Sequence, residues 1–214
     1  MTPAAHALLR KRCPVMRRLI RTHGPCTLVP EAKRSPFESL VTAVAHQQLN
    51  GTAANTILGR FRAIFPRKRF PSAAQLGGVS DDALRACGFS WAKIAAIRDI
   101  AAKTLDGTVP TSRAIRALPD EEIIERLTTV RGVGRWTVEM LLIFKLGRPD
   151  VLPADDFGVR NGYRIAFGLD EMQKPKELLA YGERWRPHAT TAAWFLWRAA
   201  DAAKERAALA GVNA

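Results

Sequence analysis

Apolar residues recur at intervals of three and four through most of this chain, the period of a helix buried along one side. In FESLVTAVAHQQL (37–49) that spacing puts Phe37, Leu40, Val41, Val44 and Ala45 on one face. TAANTILGRFRAIF (52–65) repeats it with Ile57, Leu58, Phe61 and Phe65, and Pro66 closes the helix. SDDALRACG (80–88) reads as a short helix stopped by Gly88. SWAKIAAIRDIAAKTLDG (90–107) reads as a longer one, capped by Ser90 and ended by Gly107. DEEIIERLTTV (120–130) carries acids in its first turn, where the helix dipole favours them. WTVEMLLIFKLG (136–147) is apolar nearly all round and predicts a buried helix. After a loop, PDVLPADD (149–156), the segment DFGVRNGYRIAFG (156–168) predicts a helix with a weak centre at Gly162, and Phe157 is expected to pack. PKELLAYGERW (175–185) and ATTAAWFLWRAADAAKERAALA (189–210) complete the series. No alternating run of about five residues rich in Val, Ile and Thr interrupts it, so the fold class is all-α.

Charge narrows the choice of partner. The 214 residues carry a net charge of +13 at pH 7, a surplus that favours a polyanion, either nucleic acid or an anionic membrane surface. Eight Lys or Arg fall in the first 35 residues against one acid, Glu31, and Arg60, Arg62, Arg67, Lys68 and Arg69 form a second acid-free run. These cations are interleaved with apolar residues, as in folded amphipathic segments. No apolar stretch of about 18 residues predicts a membrane span, and the N-terminus does not read as a signal peptide. Cys13, Cys26 and Cys87 form no Cys-x-x-Cys pair. A disulfide framework is therefore not expected, and a cytoplasmic location is.

The candidate chemistry begins at VRGVGRWT (130–137). A helix, a turn containing Gly-x-Gly and a second helix make a helix-hairpin-helix element. Gly132 and Gly134 give the turn backbone freedom, and their N–H groups can meet a phosphate at the start of the next helix. Val133 can pack back to anchor the turn, and Arg131 and Arg135 add positive charge. Such a clamp positions a duplex without reading its bases. The competing reading is an ordinary αα-turn.

The stretch LTTVRGVGRWTVEMLLIFKLGRPDVLPADDFGVRNGY resembles the hairpin, the Gly/Pro loop and the aspartate of the helix-hairpin-helix DNA glycosylase superfamily, most closely its alkylation-repair branch, 3-methyladenine DNA glycosylase II. The resemblance extends through FESLVTAVAHQQLNGTAAN upstream and YGERWRPHATTAAWFLWRAAD downstream, about Phe37 to Asp201. It implies two helical lobes flanking a DNA-binding cleft. One lobe is expected to comprise residues 1–36 with 151–214. The other, 37–150, would carry the hairpin at about 120–147. The extra N-terminal β-domain of longer relatives is not expected.

The resemblance also implies roles. Breaking a glycosidic bond builds positive charge on the sugar, which a fixed carboxylate can stabilise while orienting water. Asp156 matches the family's essential aspartate; Asp155 is its rival and the expected capping or loop residue. Bifunctional relatives place a nucleophilic lysine after the hairpin arginine. Trp136 stands there in this chain, and an indole forms no imine, so a monofunctional enzyme leaving an abasic site is expected. With no cysteine after position 87, the four-cysteine iron–sulfur cluster of some relatives is not expected either. Trp136 and Trp197 match aromatic base-pocket positions suited to cationic alkylated purines, with Trp194 expected to pack. Met140 departs from relatives that carry tyrosine there. Gln48, in HQQLNGT, falls at the position that intercalates when a nucleotide is flipped, while His46 is expected to be structural. Lys93 is assigned with Arg135 to the DNA backbone. The carbonyls of Thr128, Val130 and Val133 could ligate a monovalent cation, Na or K; no other cofactor is required. The partner is double-stranded DNA containing damaged bases, bound by a monomer. Excision of 3-methyladenine- and 7-methylguanine-type lesions is the leading function. Alternatives are oxidised, deaminated or mismatched bases, a non-catalytic damaged-DNA binder, or a basic protein acting on RNA or membrane surfaces.

Overall fold

The computed structural model describes residues 2–31 and 33–212. Every regular element among them is helical. In order, the α-helices are α1 (Pro3–Arg12), α2 (Pro14–His23), α3 (Pro36–His46), α4 (Gly51–Ala63), α5 (Ala73–Gly77), α6 (Asp81–Cys87) and α7 (Trp91–Leu105). There follow α8 (Ala114–Ala117), α9 (Asp120–Leu127), α10 (Arg135–Leu141), α11 (Phe157–Phe167), α12 (Pro175–Gly182) and α13 (Ala189–Val212). Polar residues set several starts by accepting an orphan N–H of the first turn. Ser35 accepts from Glu38, Asn50 from Ala53, Ser80 from Ala83 and Ser90 from Lys93. Gly88, at φ +109, closes α6 in the left-handed conformation.

The chain divides into two compact units, Met1–Pro30 with Leu142–Ala214, and Glu31–Leu141. The expected boundaries at 36/37 and 150/151 therefore shift. Residues from 142 onward belong with the later helices because their contacts are there: Phe144 stacks on Trp197, and the Arg148 carbonyl accepts the Thr190 hydroxyl at 2.7 Å.

In the first unit, α1 and α2 pack Leu9, Met16, Leu19 and Ile20 into one core with Val159, Tyr163, Leu178, Trp185, Phe195 and Leu196. Neither of these N-terminal helices is among those expected above. Gly162, expected to weaken α11, instead lets α11 and α13 approach closely: a Cβ there would lie 1.9 Å from the Leu196 carbonyl oxygen. Phe157, expected to pack, is exposed, whereas Trp194 is buried beside Phe195. In the second unit, Phe61 meets Phe65, Phe70 and Phe89 edge to face at 5.4–5.7 Å, the arrangement that ring quadrupoles favour. Around it α3, α4, α6 and α7 bury Leu40, Val44, Leu58, Leu84, Ile94 and Ile97.

The helix beginning at Arg135 changes character after Leu141, continuing as a π-helix over Leu142–Leu146. It is not buried all round. Val138, Leu142 and Ile143 are inside, but Trp136 and Phe144 are 44% and 42% exposed. Two large aromatics facing outward on a helix otherwise sunk in the core are unusual, and both belong to the sites described next.

Candidate active site

The first unit holds the carboxylate. Asp156 is the cap of α11, and its Oδ1 accepts the Val159 N–H at 2.8 Å. The same oxygen accepts the indole N–H of Trp197 at 2.8 Å, from α13. Trp197 in turn stacks against Phe144, with centroids 5.6 Å apart and planes inclined by 29°. Asp156 is half-buried, whereas Asp155 is exposed and does not cap the helix. Of the two adjacent acids, Asp156 is the one whose side chain accepts these two hydrogen bonds from different helices. The pairing with Trp197, 41 residues away, carried no sequence signal.

The second unit holds the hairpin between α9 and α10. Its turn is closed by Val130 N–H to Leu127 O and Val133 N–H to Val130 O, both at 3.1 Å, while Val130 and Val133 are buried beneath it. The two glycines do different work. Gly132 sits at φ +76, and a Cβ there would lie 3.0 Å from Ala96. Gly134 has ordinary backbone angles and nothing within 4 Å of a would-be Cβ, so its freedom is not used for turning. Its carbonyl accepts Val138 N–H at 3.2 Å at the head of α10. What the missing side chain leaves is open space at a helix N-terminus.

Beside the hairpin lies a cavity of about 590 Å³, lined by Trp136, Met140, Gly132, Gln48, His46 and Lys93 among others. Its described lining includes no carboxylate. A cation inside it would meet the Trp136 ring rather than a counter-charge. Gln48 is exposed and held at φ +57, a conformation that costs a non-glycine residue about 1–2 kcal/mol. The loop around it is pinned from three sides. Lys93 Nζ donates to the carbonyls of Ala45 and Gln47 at 2.9 and 2.8 Å. The Gln47 amide donates to Gly132 O at 2.9 Å, and His46 Nδ1 bonds Thr42 O, the structural role expected of it.

These bonds change the reading of two cations. Lys93, expected on the DNA backbone, satisfies carbonyls that the end of α3 leaves open, and burial holds its ammonium below the ordinary lysine pKa. Arg135, also expected on phosphate, donates to Glu121 at 2.8 Å and to Glu139 at 3.1 Å. Those hydrogen bonds, chiefly the one to Glu121, push its pKa up and hold Glu121 below the usual carboxylate range. Glu139 is four residues on and its pairing was legible from helix spacing; Glu121, across the hairpin, was not. A further carboxylate, Asp99, accepts the Arg131 N–H at 2.7 Å.

Among the described residues no cluster of His, Cys, Asp and Glu could hold a metal ion, and no helix is long and apolar enough to cross a membrane.

Residues 41–187 match the family described as HhH-GPD superfamily base excision DNA repair proteins. The chain is 46% identical over 166 residues to DNA-3-methyladenine glycosylase 1 of Schizosaccharomyces pombe, an alignment covering 78% of this chain and 73% of that one. It is similar to the solved structure of the S. pombe 3-methyladenine DNA glycosylase in complex with abasic DNA, with a TM-score of 0.83 and 41% identity over 91% of this chain and 95% of that one. DNA-3-methyladenine glycosidase from Bacillus halodurans superposes with a TM-score of 0.85 at 33% identity, covering 95% and 92% of the two chains.

Proposed function

The chain belongs to the HhH-GPD superfamily of base excision DNA repair proteins, and from that premise we propose that it is a monofunctional DNA glycosylase. It releases alkylated purines of the 3-methyladenine and 7-methylguanine type from double-stranded DNA and leaves an abasic site. The observation that carries the reading is the Asp156 carboxylate, fixed by two donors at the head of α11, in a chain so similar to a DNA-3-methyladenine glycosylase.

As the glycosidic bond lengthens, positive charge develops on the deoxyribose, and Asp156 faces it with a charge already oriented. No reorganisation is then required during the reaction. Asp156 also directs water to the sugar carbon, a contribution of roughly 10²- to 10⁴-fold. Trp136 and Met140 receive the flipped base. A cationic methylated purine gains about 0.5–2 kcal/mol from the indole face. Trp136 supports base release without strand cleavage, since it offers no amine. Gln48, projecting on a pinned loop, fills the gap left by the flipped nucleotide. The hairpin binds the strand through the N–H groups of Gly132 and Gly134, and the space above Gly134 lets a phosphate approach. Lys93 and Arg135 serve that binding indirectly, by holding the loop and the hairpin.

Thr128, Val130 and Val133 would hold a monovalent cation through their carbonyls. The Val130 oxygen already accepts one N–H at 3.1 Å and has a second lone pair to give. Such an ion would stiffen the turn. No iron–sulfur cluster is part of this reading, and the protein acts as a monomer.

The test is a panel of duplexes, each with one defined lesion, incubated with wild type and Asp156→Asn. Wild type should generate alkali-labile abasic sites at alkylated purines and no direct nicks, and the variant should release no base while still binding the duplex. Release by Asp156→Asn at the wild-type rate would refute the assignment. Excision confined to oxidised, deaminated or mismatched bases would replace the substrate.

A further inference from the structure

We propose that Trp197 is a positioning residue for Asp156, acting through its indole N–H rather than through its ring face. This rests on the assignment of Asp156 just given. A carboxylate held only by its helix cap can still rotate about Cβ–Cγ and exchange its oxygens. Here a second donor, carried by a different helix, converges on the oxygen already bound by Val159 N–H, each at 2.8 Å. Together they fix the carboxylate plane. Indole nitrogen is a donor only, so the bond has a single polarity and cannot invert to accept a proton from the acid.

The surroundings keep the indole where this bond requires it. Phe144 stacks on the Trp197 ring. Gly158, in the first turn of α11, leaves room for the ring edge: a Cβ there would lie 2.9 Å from Trp197 Cδ1, 3.2 Å from Nε1 and 3.1 Å from Asp156 Oδ1. Any larger residue at 158 would wedge between donor and acceptor. Three separate features, an aromatic stack, a glycine and a shared acceptor oxygen, thus converge on one hydrogen bond. Catalytic groups tolerate displacements of only about 0.5 Å before rate is lost, which is why the second donor matters to the reaction and not only to packing.

The experiment compares wild type, Trp197→Phe, Gly158→Ala and Asp156→Asn in single-turnover excision from a duplex with one 7-methylguanine. Affinity for an abasic-site duplex is measured alongside. Phenylalanine keeps an aromatic ring beside Phe144 and deletes the indole N–H donor together with the second ring. The excision rate of Trp197→Phe should fall roughly 10- to 100-fold with abasic-duplex affinity within about twofold of wild type, and Gly158→Ala should fall likewise. A Trp197→Phe rate within about twofold of wild type overturns the proposal. If Asp156→Asn is inactive in that case, only the positioning role has failed; if Asp156→Asn is active, the carboxylate assignment has failed. A second readout is independent of activity. The indole N–H resonance of Trp197, identified by its loss in Trp197→Phe, should lie downfield and exchange slowly, and should move upfield in Asp156→Ala. A resonance unmoved by that substitution also overturns the proposal.

Discussion

Adding one methyl group at Gly162 should destabilise the protein, although the same change elsewhere in a helix should stabilise it. A Cβ at 162 would stand 1.9 Å from the Leu196 carbonyl oxygen, 2.5 Å from its carbon and 3.1 Å from its Cα. Ordinary contact begins near 3.4 Å, and the obstacle is backbone, which cannot rotate away as a side chain would. Either α11 and α13 separate by more than an ångström or α11 bends. Overpacking of this kind costs about 1–3 kcal/mol, and a backbone clash belongs at or above the upper end. Alanine recovers about 1 kcal/mol of helix propensity, leaving a net loss of roughly 2 kcal/mol. For a chain of this size that lowers the melting midpoint by about 4–8 °C. The control is Gly59→Ala in α4, where nothing lies within 4 Å of the added Cβ and the propensity gain is unopposed. It should raise the midpoint by about 2–4 °C. Thermal unfolding followed by far-ultraviolet circular dichroism measures both. Because Leu196 directly precedes Trp197, Gly162→Ala should also slow base excision at temperatures where the variant remains folded. A Gly162→Ala protein at least as stable as wild type would refute the close approach of α11 and α13, and with it the rigid seating of Trp197 against Asp156.

Other expectations follow from the same geometry. Gly132→Ala should lose about 1–2 kcal/mol through its positive φ, whereas Gly134→Ala should melt like wild type and bind an abasic-site duplex more weakly; equal melting losses would contradict the division of labour between them. Lys93→Met should lower the melting midpoint and leave the salt slope of DNA binding nearly unchanged, because Lys93 is committed to the carbonyls of Ala45 and Gln47. A slope reduced by about one unit would instead return Lys93 to the phosphates. His6 accepts the Cys26 N–H at 3.2 Å, and burial, with help from Arg10, lowers its pKa below 6.5. His23 is lowered by burial and by Arg198 and Arg206. In both, the unfolded chain takes up protons first, so stability should be level above about pH 7 and fall as pH drops through 6.5 towards the lower folded values. His6→Gln should shallow that fall in melting midpoint, and an unchanged pH dependence would exclude His6 from it.

Most helices were legible because periodicity and capping are local. Ser90, Gly88 and the acids at the start of α9 act within one turn, so their neighbours along the chain suffice to read them. The two N-terminal helices differ: in α1 the apolar stripe is weak, and only the core partners of Leu9 reveal its inner face, whereas α2 carries Met16, Leu19 and Ile20 at helical spacing with Arg17, Arg18 and Arg21 around them, a pattern that was legible in the sequence and went unread. At the site, the sequence singled out Asp156, Trp136, Gln48 and the two glycines by motif. The carbonyl partners of Lys93 and the Glu121 partner of Arg135 escaped it, because a cation looks the same in sequence whether it meets a phosphate, a carbonyl 46 residues away or a carboxylate across a turn.

On its own, then, the order of residues determined an all-helical chain, the place of the hairpin, the pair of adjacent acids at the head of the helix after it and the absence of a nucleophilic amine at position 136. All of these depend on residue type and short-range spacing. That Asp156 rather than the expected Asp155 caps the helix after the hairpin came from the structure. Tertiary structure decided which cations are spent internally, why Gly162 must lack a side chain, and that the indole of Trp197 reaches the Asp156 carboxylate. Those are distances between segments far apart in the chain, and such distances are set by how helices pack, information that no local window of residues contains.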